Sequence, residues 1–131
     1  MKKLILLLLF IPLFSFSQEL LLFSDDNKFL GCLNCSEYSS ESICNKYGTY
    51  GSKYNSESIW NQYGTYGSKY NSESPWNEYS SSGPKIVDKD GNYYGRFSIN
   101  TYSGYSNSDS LKKIYEYFDG DLEKIRDSFC E

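Results

Sequence analysis

Hydrophobic residues fall into different patterns along the chain, and the first is a nearly unbroken apolar run from Leu4 to Phe14, interrupted only by Pro12. It stands behind Met1-Lys2-Lys3 and ahead of Ser15-Phe16-Ser17. A positive start, a short apolar stretch and small residues at the minus-three and minus-one positions before Gln18 make the layout of a bacterial secretory signal peptide over residues 1–17. Counted through Phe16 the stretch is 13 residues, short of the roughly 18 to 20 that span a bilayer. A retained anchor is therefore the lesser alternative. No cysteine lies at the cleavage point and no later segment is apolar enough to cross a bilayer, so the expected mature form is residues 18–131, secreted or periplasmic and off the membrane.

Beyond the leader, two short stretches read as antiparallel hairpins. Leu20-Leu21-Leu22-Phe23 and Lys28-Phe29-Leu30-Gly31 flank Ser24-Asp25-Asp26-Asn27, within residues 18–31. Within residues 84–100, Lys85-Ile86-Val87 and Tyr93 to Ile99 flank Asp88-Lys89-Asp90-Gly91-Asn92. Apolar runs around Asp-Asn or Asp-Gly turns carry the hairpin signal, and the two copies are expected to pair into one small sheet. Over residues 108–130 the period changes. Leu111, Ile114, Tyr115 and Phe118 lie at helical spacing, Asp119-Gly120-Asp121 breaks the pattern, and Leu122, Ile125 and Phe129 resume it. A C-terminal helix or helix pair packed on the sheet follows, with Ser108 or Asp109 as its cap.

Between the hairpins, residues 32–79 repeat at an offset of 16. Gly48 to Tyr63 and Gly64 to Tyr79 differ only at Ile59/Pro75 and Gln62/Glu78. Cys32 to Tyr47 keeps the frame but puts Cys32 and Cys35 at the glycine positions and Cys44 at the tryptophan position. A fixed period implies like units stacked on one another, with the atypical first unit as a cap. Ser56 to Gly64 supplies a capping serine, an early acid and a terminating glycine, and the counterpart from Ser72 to Trp76 puts Pro75 early in the helix, so each unit is expected to hold a helix of one or two turns. The remainder reads as turn or extended coil. The resulting fold class is a small disulfide-stabilised α+β domain with short hairpins, a loop-rich repeat array with single-turn helices, and a helical C-terminus.

Composition then narrows the chemistry. The chain has four cysteines, no histidine, 13 basic and 17 acidic residues, and a net charge of −4; loss of Lys2 and Lys3 with the leader brings it to −6. Such a chain is unsuited to a phosphate backbone, so no nucleic-acid partner is expected. Without imidazole, the usual nucleophile pairs and His-ligated metals are excluded. In an oxidising compartment Cys32, Cys35, Cys44 and Cys130 are expected to form two disulfides. The pairing that ties a terminal helix to the body joins Cys130 to Cys32 or Cys35. The competing readings of Cys32-x-x-Cys35, a redox pair or half a zinc site, lack a thioredoxin-like setting and a second C-x-x-C. After the leader there are 14 aliphatic residues and no alanine against 21 aromatics, so Tyr and Phe must supply much of the core.

Three further candidates deserve weighing against plain structure. Asp88-x-Asp90-x-Asn92 begins like a calcium loop, but Tyr93 replaces the glycine and Ile99 the bidentate glutamate; a hairpin turn explains it better. Glu41, Glu57 and Glu73 recur once per unit, and helix capping accounts for them better than paired catalytic carboxylates. Trp60 and Trp76, with Tyr63, Tyr79, Asn61 and Asn77, offer a platform on which sugar rings stack while amides bond hydroxyls, unless the rings form the core. The expectation is therefore an exported, non-catalytic binding module for polysaccharide or cell-envelope glycan. The alternative is a structural or protein-interaction component of the periplasm or cell surface. No catalytic residues, metal or cofactor are expected.

Overall fold

A computed structural model describes residues 18–131; the leader expected over residues 1–17 lies outside the described residues. Two hairpins form, as their apolar runs predict. The first joins β1 (Leu21–Phe23) to β2 (Phe29–Cys32), and the second joins β3 (Lys85–Val87) to β4 (Tyr93–Arg96). The hairpins meet through β1 and β3, antiparallel, with Leu22 opposite Ile86, so that one sheet of order β2-β1-β3-β4 brings together segments from either side of the repeated stretch. Leu22, Leu30 and Ile86 are fully buried on it.

Each hairpin carries a register irregularity beside a glycine of positive φ: Gly31 at 119° and Gly95 at 92°. At both positions left-handed backbone is joined to crowding. A Cβ on Gly31 would sit 2.7 Å from Ile43 Cγ2, and one on Gly95 would sit 2.4 Å from the Gly104 carbonyl carbon. The second hairpin is shorter than the run Tyr93 to Ile99 suggests. Past Arg96 the chain leaves the sheet and bonds elsewhere: the Phe97 N–H donates to Pro84 O (2.8 Å) and the Ile99 N–H to Pro75 O (2.9 Å).

Between β2 and β3 the expected single-turn helices are absent; the segment consists of consecutive turns. The cause is side-chain competition for backbone N–H groups. Ser or Asn recurs every third residue, as in Ser52, Asn55, Ser58 and Asn61, and each side-chain oxygen accepts the N–H two residues on, at 2.9–3.0 Å in these four turns. The same bonds recur at Ser36, Ser39, Ser42 and Asn45, and at Ser68, Asn71, Ser74 and Asn77. An N–H held by a neighbouring side chain is diverted from a helical ladder, and such Asx and Ser/Thr turns favour a bend at every step. Backbone bonds of i to i+3 type, such as Asn61 N–H to Ser58 O (3.3 Å) and Gly64 N–H to Asn61 O (3.0 Å), close the turns.

The turns point one set of residues inward. Ile43, Ile59, Trp60 and Trp76 are buried, with the serines Ser42, Ser58 and Ser74 beside them. The Trp60 indole N–H donates to Ile43 O (2.7 Å) and the Trp76 indole N–H to Ile59 O (2.6 Å), so each tryptophan satisfies a carbonyl 17 residues earlier. Their ring centroids lie 5.5 Å apart. Gly67 allows the next stretch of backbone to close on this core, since a Cβ there would stand 2.0 Å from Asn61 O.

The C-terminus forms α1 (Ser108–Tyr117) and α2 (Leu122–Phe129). Asn107 occupies the N-cap position of α1 without a capping side-chain bond, whereas Asp121 caps α2 by accepting the Lys124 N–H. Asp119 and Gly120, at φ 52° and 76°, make the break between them. Leu111, Leu122 and Ile125 are buried, and Tyr115 lies nearly parallel to Trp76, centroids 5.7 Å apart. The buried Arg126 donates to Gly51 O (3.1 Å), fixing α2 to the turn segment.

The disulfides are Cys32–Cys35 and Cys44–Cys130. Cys130 therefore pairs with Cys44, and the expected bond to Cys32 or Cys35 is replaced. Cys44 occupies the tryptophan position of its unit, and that position faces the C-terminal helices; Cys32 ends β2 with Cys35 three residues away. Together with the four-stranded sheet and two helices, these bonds make a small disulfide-stabilised α+β domain. Two disulfides in so small a domain also suit an oxidising, extracytoplasmic environment.

The two bonds differ in the chain they close. Cys44–Cys130 spans 86 residues, for which loop entropy alone suggests roughly 4 to 5 kcal/mol. A C44S/C130S variant is expected to unfold at markedly lower denaturant than C32S/C35S, measured by intrinsic fluorescence in urea. Equal losses would show that the long loop is not the clamp.

Candidate functional site

The turns that bury Trp60 and Trp76 push a second set of aromatics outward. Tyr54, Tyr63, Tyr70 and Tyr79 are between 81% and 90% exposed. Each has its backbone N–H held by Ser52, Asn61, Ser68 or Asn77, so the rings project from fixed turns. Tyr38 and Tyr47 repeat the arrangement earlier in the chain. By contrast, Tyr50 and Tyr66 have no such serine or asparagine two residues before them; they pack partly into the core, and burial raises both phenols above the ordinary value. Tyr50 meets the edge of Phe29, centroids 5.0 Å apart.

Three clefts run between these tyrosines and the C-terminal helices. The first, about 690 Å³, lies between Tyr54 and Tyr63 with Trp60 at its base and Asp119 to Glu123 opposite. The second, about 780 Å³, is bounded by Tyr63, Tyr70 and Tyr115, and the third, about 510 Å³, by Tyr70, Tyr79 and Tyr115. Tyr63 is common to the first two clefts, and Tyr70, Trp76 and Tyr115 are common to the last two, so the three lie side by side with shared walls. A fourth cleft, about 660 Å³, stands apart between Tyr38 and Tyr47, close to the Cys44–Cys130 bond.

The structure thus brings the sequence candidates together but divides their roles. Trp60, Asn61 and Tyr63 line the first cleft; Trp76, Asn77 and Tyr79 line the third. Trp60 and Trp76 are only 1% and 2% exposed, so their faces belong to the core and are closed to a stacked ring. Asn61 and Asn77 also work internally: each accepts a tyrosine N–H and donates its amide to Asn55 O or Asn71 O. The accessible aromatic faces are those of the tyrosines. Tyr115, Glu116, Lys69 and Asp119, which complete the clefts, are residues that sequence reasoning missed as site residues. The opposite wall depends on how the C-terminal helices dock, and no local pattern in the repeats specifies that.

Charged groups of both signs surround the rings. Lys53 Nζ lies 5.2 Å from the Tyr54 ring centroid and Lys69 Nζ 5.3 Å from that of Tyr70. Lys53 also pairs with Glu123 at 3.0 Å, and the hydrogen bond and charge of that carboxylate raise the lysine above its ordinary value. Lys112 lies 3.7 Å from Glu78. Such rims offer donors and acceptors beside apolar ring faces.

The other candidate chemistries have structural explanations. Both Asp88 oxygens are occupied: they accept the Asp90 and Asn92 N–H groups (2.9 and 3.0 Å), the Asn92 amide (3.0 Å) and the Tyr94 hydroxyl (2.7 Å). The hairpin-turn reading therefore fits Asp88, Asp90 and Asn92. The recurrent glutamates sit in turns, not at helix starts, and Glu57 forms an ion pair with Lys28 at 2.7 Å. Glu19, Cys32 and Cys35 form a cluster of potential metal ligands among the described residues, but the two sulfurs are bonded to each other and present no thiolate. Cys32 is the last residue of β2 and the pair opens no helix, unlike the reactive C-x-x-C setting.

Comparison with protein-family models, curated proteins and solved structures gives no match for the chain.

Hydrogen bonds from Tyr94 and then Asn92 hold the Asp88 carboxyl at about 2, below its ordinary 3.8. A depressed folded-state value means stability that is present above the unfolded value and lost as pH falls through the folded one. Acid unfolding between about pH 4 and pH 2 is expected to include this step, and D88N is expected to flatten that part of the stability profile. An unchanged profile in D88N would rule out the assignment.

Proposed function

We propose that the protein is an exported, non-catalytic binding module whose repeated segment acts as an array of three like units that hold polysaccharide against tyrosine rings. One observation carries the reading: Tyr54, Tyr63, Tyr70 and Tyr79 stand more than four-fifths exposed along three adjoining clefts. Exposed apolar surface gathered on one face, beyond singly scattered residues, marks a binding site. Tyrosine suits this task because its ring is rigid and its hydroxyl remains wet. Sugar rings present apolar faces edged by hydroxyls, so a flat phenol beside carboxylates and ammonium groups matches both parts.

Export is part of the proposal. The sequence over residues 1–17 has the form of a cleavable leader, and two disulfides accord with a destination outside the cytoplasm. The polymer would then come from the cell envelope or the surroundings. A second reading, a structural or protein-interaction component, is favoured by the exposed Tyr38, Tyr47, Tyr102 and Tyr117, which lie outside the three adjoining clefts. Tyr, Ser, Gly and Asn are also the residues of adaptable protein-binding surfaces.

The test is co-sedimentation with insoluble peptidoglycan, chitin and cellulose, using the disulfide-intact protein. Retention by at least one polymer is expected, with a loss of about tenfold in affinity on Y63A/Y70A if these rings are binding hot spots. Near-ultraviolet circular dichroism should stay native, because both side chains project from the core. Equal retention of the double variant, or no retention on any polymer, would contradict the reading.

A further inference from the structure

The adjoining clefts say more about the ligand than its class alone. We infer that they are successive subsites for one linear polysaccharide chain that is neutral or amino-bearing, and that polyanionic glycans are disfavoured; this rests on the polysaccharide-binding reading above.

Adjacency supports a single extended ligand. Tyr63 serves the first and second clefts, and Tyr70 and Tyr115 serve the second and third. A ring seated in one cleft therefore touches a wall of the next, and a chain lying across all three gains contacts without a second loss of translational freedom. The groove is also firmly backed. Trp60 and Trp76 support its base through their indole bonds to Ile43 O and Ile59 O. Tyr115 is stacked on Trp76, and Gly120, where a Cβ would approach the Tyr115 hydroxyl to 3.1 Å, lets the helix break lie close against it. The backbone beneath the groove is thus already ordered before a ligand arrives.

Charge supplies the selectivity. The lysines along the three clefts are Lys53, Lys69 and Lys112; the acids are Glu78, Glu116, Asp119, Asp121 and Glu123. Lys53 is paired with Glu123 and Lys112 with Glu78. That leaves Lys69 as the one remaining lysine along the clefts against Glu116, Asp119 and Asp121, so the groove is acidic within a chain that is itself acidic. A row of uronate or sulfate groups meets repulsion there, whereas hydroxyls, acetamido groups or ammonium groups meet acceptors.

The experiment is calorimetric titration of the disulfide-intact protein with chito-oligosaccharides, their de-N-acetylated counterparts and oligogalacturonates, each from disaccharide to octasaccharide. For the first two series, affinity is expected to rise about tenfold or more with length before levelling off, as added rings fill further subsites. Oligogalacturonates are expected to bind about tenfold more weakly at matched length, and E116Q/D119N to narrow that gap. Y79A, at one end of the groove, should lower affinity for the octasaccharide more than for the disaccharide. Binding that ignores length or favours the polyanion overturns this inference while leaving polysaccharide binding intact. Failure of all three series to bind overturns the inference; if peptidoglycan, chitin and cellulose also fail to retain the protein, the reading beneath it falls too, and a protein captured on the same tyrosines would then support the interaction role.

Discussion

Side-chain oxygens of serine and asparagine, each accepting the backbone N–H two residues ahead, are the interactions on which the rest of this molecule depends. From Ser36 to Asn77 they replace the ladders of a helix or sheet with a succession of bends. A polar backbone folded against a core must find partners locally or leave groups unsatisfied. Here the partners are built into the sequence at every third position within three runs of four, Ser36 to Asn45, Ser52 to Asn61 and Ser68 to Asn77. Bends at that spacing turn Ile59 and Trp60 inward and Tyr54 and Tyr63 outward, so the arrangement that satisfies the backbone also generates the tyrosine face.

The turns alone do not hold a core. Trp60 and Trp76 connect successive stretches through indole bonds to earlier carbonyls, and Trp76 continues the contact into Tyr115 and Phe97. β1 and β3 bring the two ends of the segment into one sheet, while Cys44–Cys130 and the Arg126 bond to Gly51 O fasten the helices along its side. The clefts exist because of that fastening. Their tyrosine walls come from the turns and their opposite wall from the helices, so neither part forms a groove without the other.

Much of this was legible in the residue order. Asp-Asn and Asp-Gly turns between apolar runs located both hairpins, and helical spacing of Leu111, Ile114 and Phe118 located the first helix, with Asp119-Gly120 marking its end. The sulfur partner of Cys130 was not legible, because four cysteines permit several pairings and the choice depends on which side of the turn segment meets α2. The supposed helix around Ser56 to Gly64 failed for a local reason: a capping serine and a terminating glycine also fit a string of side-chain-closed turns. The three-residue spacing of Ser52, Asn55, Ser58 and Asn61 was the signal that separates the two. It also bears on the aromatic candidates, since buried tryptophans and outward tyrosines share one repeat and composition cannot sort them.

The most direct test of this account is hydrogen exchange at the two indole N–H groups, followed by NMR. If Trp60 and Trp76 hold the turns together through Ile43 O and Ile59 O, both protons should exchange only with opening of the whole domain, and their protection should follow its unfolding free energy across denaturant. Exchange of either indole at the rate of a free tryptophan would place that ring in solvent and contradict the bonded core on which the outward tyrosines rest.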